Sequence, residues 1–137
     1  LLEGTSVDVV ERSPDHIDFD LEDTVPPMRS ARRWIADSLP DLDQSQLLDL
    51  LVIADALMTN AFEHASAPRR LRLRRPRGRR VVRVEVDDAS PELLPVLGKP
   101  GGRGLHNRGL LLVNRLSCGW GVDPCAGHKT VWGEVGA

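Results

Sequence analysis

The chain has 137 residues, 41% of them hydrophobic and 28% charged, which makes one domain with apolar material for one ordinary core. Its formal net charge of −2 excludes an overall bias toward nucleic acid or anionic membranes. Two cysteines, Cys118 and Cys125, are too few for a disulfide framework, so a reduced, cytoplasmic protein is expected.

Leu1-Leu2 is followed at once by Glu3 and Gly4, which is no signal-peptide core. The longest apolar run, Leu50 to Met58, is interrupted by Asp55 and is too short to span a bilayer, so no membrane partner is expected. Residues 1–15 read as a flexible tail ahead of one domain at 16–137. His16 to Leu21 alternates polar and apolar, the period of a half-buried strand. Thr24 offers an N-cap ahead of Pro26 and Pro27, and Met28, Ala31, Trp34, Ile35 and Leu39 then recur at helical spacing until Pro40. A second helix is expected from about Asp43 to Ala65. Its middle, Leu47 to Leu57, is apolar nearly all round and so belongs in the centre of the fold.

Leu71 to Arg75 and Val81 to Val86 form a hairpin through Pro76-Arg77-Gly78. Three prolines and five glycines crowd residues 89–109, and this stretch reads as a lid loop over about 89–108. A third helix is expected from about Gly109 to Leu116, then strands near Cys118–Val122 and Lys129–Val135. The order β-α-α-β-β-loop-α-β-β makes an α+β protein. It is a two-layer sandwich of a mostly antiparallel sheet with three helices on one face.

Three segments and the closing strand carry the chemistry. The buried second helix bears Met58-Thr59-Asn60-Ala61-Phe62-Glu63-His64-Ala65. The second hairpin strand runs into Val86-Asp87-Asp88-Ala89-Ser90-Pro91, the loop into Asn107-Arg108-Gly109-Leu110, and the chain ends near Gly127-His128-Lys129-Thr130-Val131-Trp132. A carboxamide on a rigid helix can give its oxygen to a hard cation that keeps waters and phosphate oxygens, as Mg²⁺ does. An Asp at a strand end can accept a hydrogen bond from an exocyclic amine, and small residues after it let a flat ring approach. The first N–H groups of a helix suit a phosphate.

In this order, over about residues 16–135, the segments resemble the ATPase family shared by gyrase B and sensor histidine kinases. The closest likeness is to its single-domain branch of anti-sigma serine kinases, common in actinobacteria. The resemblance implies a Bergerat-type ATP-binding fold, ATP or ADP as ligand, and Mg²⁺ held by Asn60. It further implies that Asp88 binds the adenine amine, with Ser90 at a position often taken by glycine. Arg108 and Gly109 would begin the phosphate-facing helix, and Thr130 would back the adenine. The implied partners are a sigma factor and a STAS-type anti-anti-sigma protein, and a homodimer through the sheet and first helices.

Two positions depart from the pattern. The family's general base, a glutamate four residues before the asparagine, is Ala56 here, and neighbouring Asp55 lies about 100° further round the helix. Asn107 stands where the glycine-arginine-glycine run has its first glycine. With no general base, the expectation is nucleotide binding with slow or absent phosphotransfer. The alternative is a non-catalytic module that sequesters a sigma factor or anti-anti-sigma protein.

Simpler roles stand beside these. Asn60 can pair within the core, Asp88 can be a strand-end turn residue, and His64 fits a surface or packing role. Arg70-Leu71-Arg72-Leu73-Arg74 is what one solvated face of an antiparallel strand produces. Without interleaved aromatics it does not carry direct nucleic-acid binding, although an acidic protein surface would suit it. His106, Cys118, Cys125 and His128 fit no familiar zinc spacing.

Overall fold

The structure is a computed structural model and describes residues 16–21, 27–92 and 105–137, the side chains of 105–109 excepted. Its elements run β1 (His16–Asp20), α1 (Met28–Ser38), α2 (Gln44–His64), β2 (Arg70–Arg74), β3 (Val81–Asp88), α3 (Leu105–Leu116), β4 (Gly119–Cys125) and β5 (His128–Gly136). The five strands form one sheet in the order β1-β2-β3-β5-β4. Every pairing is antiparallel, where sequence patterning required only a mainly antiparallel sheet. The molecule is therefore α+β, with three helices against a five-stranded sheet.

Alternation along the strands gives the sheet two unlike faces. Leu71, Leu73, Val82, Val84, Val86, Val131 and Val135 are buried on the face that meets the helices. Their strand neighbours Arg72, Glu85, Asp87, Thr130 and Glu134 point the other way and form a charged ladder. Leu50, Ile53, Ala54, Leu57 and Met58 make α2 the central helix, buried against β3 and β5. Full burial of each such large aliphatic side chain contributes about 1.5–3 kcal/mol. A capping box starts α2: Asp43 Oδ1 accepts from the Gln46 N–H at 2.8 Å, and Gln46 Oε1 accepts from the Asp43 N–H at 3.1 Å. By length and composition this 21-residue helix could cross a membrane, which the run from Leu50 to Met58 alone does not indicate. Its contacts with the sheet make it the core helix of a folded domain.

Several boundaries differ from those expected. Pro27 occupies the N-cap position of α1, while Thr24, like the tail at 1–15, lies outside the described residues. β3 continues through Asp88, because Asp87 and Asp88 pair with Thr130 and Lys129 of β5. β4 and β5 extend to a two-residue turn, where Gly127 takes a φ of +82° that its missing Cβ permits. The largest shift is in α3, which begins at Leu105, four residues before Gly109. Of the expected lid loop, residues 89–92 lead out of β3, 93–104 lie outside the described residues, and 105–108 are helical.

Candidate functional site

The end of β3 carries the densest polar arrangement on the helix-facing side of the sheet. Asp88 and Lys129 sit opposite each other in the β3–β5 register, both 1% exposed. Lys129 Nζ donates to Asp88 Oδ1 at 2.9 Å and to the Ser90 carbonyl at 2.9 Å. The Ser90 backbone N–H donates to the same Asp88 Oδ1 at 2.8 Å. The second carboxylate oxygen, Asp88 Oδ2, is buried and has no hydrogen-bond partner. Leaving a carboxylate oxygen dry and unpaired is among the costliest arrangements a folded chain can hold.

Ser90 ties this corner to the end of α2. Its Oγ accepts from the Ser66 N–H at 2.9 Å, and the Ser66 carbonyl accepts from the Ala89 N–H at 2.9 Å. Arg69 closes the helix by donating to the carbonyls of Ala61 and Ala65 at 3.0 and 2.6 Å, with its guanidinium 4.3 Å above the Phe62 ring. The residues after β3 are thus fixed by α2 rather than by the strand alone.

Asn60 is buried on α2. It lies seven residues, two turns, beyond Ile53, and so on nearly the same stripe of the helix. That stripe meets β5 and α3, since a Cβ built on Gly133 would approach Ile53 Cγ2 at 2.8 Å and Val113 Cγ1 at 3.6 Å. Ala56 belongs to this stripe and packs partly buried against the core. Asp55 is turned to α1, where its two oxygens accept from Arg32 at 2.7–3.0 Å. The hydrogen bond to Asp55 and its charge raise the Arg32 pKa above the ordinary arginine value. Asp55, the acidic neighbour of Ala56 in sequence, is therefore engaged elsewhere.

Thr130 does not join Asp88. Adjacent residues on a strand face opposite ways, and Thr130 Oγ1 donates to Asp87 Oδ1 at 2.6 Å on the charged face. Lys129 holds the place opposite Asp88 instead, and sequence reading missed it; the β3–β5 register was the information lacking. Arg108 and Gly109 fall at the fourth and fifth residues of α3 rather than at its start, so the first N–H groups belong to Leu105 and its followers. Among the described residues no cluster of three His, Cys, Asp or Glu could hold a metal. The two cysteines are free and exposed.

A cavity of about 680 Å³ opens at this end of the sheet, lined by Asp88 and Ala89 together with Leu21, Pro68, Arg70 and His128 among others. It draws mainly on the strand ends, and Asn60 is not in its lining. No protein-family model matches the chain, and no curated protein is significantly similar to it.

Proposed function

We propose that the chain is a cytoplasmic adenine-nucleotide-binding domain of the Bergerat type. It would regulate bacterial transcription in the manner of the serine-kinase anti-sigma factors, with phosphotransfer slow or absent. The observation that carries this is the state of Asp88, a buried carboxylate with one oxygen fully engaged and the other without a partner. An adenine amine has the donor geometry to satisfy that second oxygen, and Ala89 and Ser90 beside it are small enough for a flat ring. Asn60 would hold Mg²⁺ through one oxygen, the ion keeping waters and phosphate oxygens for its other positions. Bound there, Mg²⁺ would offset the charge of the phosphates. The residues of the chain bind and orient, and Ala56 has no group with which to take a proton from a partner's serine.

Ala56 also favours a second function, a module that sequesters a sigma factor or anti-anti-sigma protein without transferring phosphate. Leu48 and Val52 on α2, 54% and 37% exposed, and Leu111 and Leu112 on α3, 41% and 43% exposed, give such a module apolar surface on two helices. Calorimetric titration of ATP and ADP with Mg²⁺ into the purified domain tests the nucleotide. Binding at micromolar strength or better is expected. Absence of binding would leave sequestration alone.

A further inference from the structure

Lys129 is one of the largest fully buried side chains among the described residues, and it is a cation. A lone buried ammonium is strongly disfavoured. This one is compensated by the Asp88 carboxylate at 2.9 Å and by the Ser90 carbonyl at 2.9 Å. Lys129 and the Ser90 N–H both converge on Oδ1, so the two donors that reach Asp88 meet one side of the carboxylate. Oδ2 is left as a pure acceptor with no competing donor from the protein.

We propose that Lys129 is a specificity-determining residue of the candidate nucleotide site. By holding Asp88 as an oriented carboxylate with one free acceptor, it selects a base bearing an exocyclic amine and rejects one bearing a carbonyl at the same position. This rests on the nucleotide-binding function proposed above and extends it to base choice. At C6 adenine presents an N–H donor to Oδ2, whereas hypoxanthine presents an oxygen there. Two acceptors facing each other in a dry site repel and leave both unpaired. Without the ammonium, the carboxylate loses the side-chain donor that holds Oδ1 and can turn, so Oδ2 is no longer fixed as the acceptor that meets the base. The selectivity therefore belongs to the pair and not to Asp88 alone.

The experiment is calorimetric titration of ATP and of inosine triphosphate, which carries a carbonyl where ATP carries the amine, into the wild-type domain and Lys129→Met. Wild type is expected to prefer ATP by about 10- to 100-fold, the usual range for one well-placed base contact. Lys129→Met is expected to lose most of that preference, mainly through weaker ATP binding. Because Lys129→Met can lose its fold, a second variant, Lys129→Met with Asp88→Asn, carries no buried charge. Its amide offers both a donor and an acceptor, so the two nucleotides are expected to bind within about threefold of each other. Thermal melting reports whether each variant is folded. Equal affinity of wild type for the two nucleotides would overturn the proposal, as would an unchanged preference in a folded variant lacking the ammonium. Either result would leave nucleotide binding itself standing. Failure of wild type to bind any nucleotide would take both down.

Discussion

Gly133 illustrates how single positions set the distance between the layers. Its hydrogen points from β5 into the helix face, where a methyl group would come within 2.8 Å of Ile53 Cγ2 and 3.6 Å of Val113 Cγ1. Ile53 and Val113 are fully buried and β-branched, so neither can swing aside cheaply. Gly133→Ala is expected to cost about 1–3 kcal/mol, the usual penalty for an added group in a filled core. Urea denaturation would measure it, with Gly136→Ala as the control, since a Cβ there meets nothing within 4 Å. Equal losses in the two variants would mean that close α2–β5 contact is not what Gly133 permits. The same strand shows why residue-level roles were only partly legible. Lys129-Thr130 is a pair of polar neighbours in the sequence, and either could face the helices. Only the register that sets Asp88 against Lys129 decides which does, and register is a long-range property that local pattern does not carry.

At the scale of elements, β2 shows the opposite situation, a strand whose role is plain in its residues. Arg70-Leu71-Arg72-Leu73-Arg74 alternates strictly, so Leu71 and Leu73 go to the core and the arginines to the other face. What the pattern could not show is the partner of each cation. Arg72 bridges three strands, donating to Asp18 at 2.9 Å, Glu85 at 2.9 Å and Asp87 at 3.0 Å. Burial works against its charge, yet the hydrogen bond to Glu85 and the charges of Asp87 and Asp18 raise its pKa above the ordinary arginine value. Asp18 and Glu85 are each 4% exposed, so Arg72→Met would take the shortest ion pair from two nearly buried carboxylates, leaving Asp18 with Arg70 at 3.5 Å and Glu85 with Arg74 and Arg83 at 3.5 and 3.6 Å. A loss of about 1–2 kcal/mol is expected, below the full cost of breaking a buried pair because the Arg72 side chain is 22% exposed and both carboxylates keep another arginine. Chemical denaturation at neutral pH would read it, and a loss under 0.5 kcal/mol, the ordinary scatter of surface substitutions, would show the ladder to be decorative. With Arg72 committed to acids of its own sheet, the arginine stretch is less a docking surface than its composition implies. α3 shows where element reading failed. The prolines and glycines crowded into residues 89–109 placed its start near Gly109, but the helix begins at Leu105 and Gly109 lies within it.

For the whole molecule, the element order and the layered α+β arrangement follow from hydrophobic period and turn chemistry, because strands of five to nine residues and one long apolar helix leave few ways to bury their faces. The proposed phosphotransfer is what period cannot settle, and on that proposal it would turn on one stripe of α2. Ala56 lies one turn before Asn60 on the side of the helix that meets α3 and β5, and its methyl is partly buried against the core. Asp55 is tied to Arg32, so the carboxylate next to Ala56 in sequence is already committed. If the chain otherwise retains a nucleotide site, a carboxylate at position 56 is the missing part. Ala56→Glu is then expected to leave ATP affinity within about threefold while raising phosphate transfer to a STAS-type partner about 10²–10⁴-fold, the contribution typical of a positioned base. Radiolabelled ATP, Mg²⁺ and the partner protein would supply the assay, with phosphoserine as the readout. Wild-type transfer at the rate of the Glu variant would mean that a group other than residue 56 takes the proton. Intact binding with no transfer in Ala56→Glu would mean that the start of α3, shifted to Leu105, no longer aligns phosphate with the base. The domain would then act on its partner by binding alone, and the exposed leucines of α2 and α3 would be the surface to mutate next.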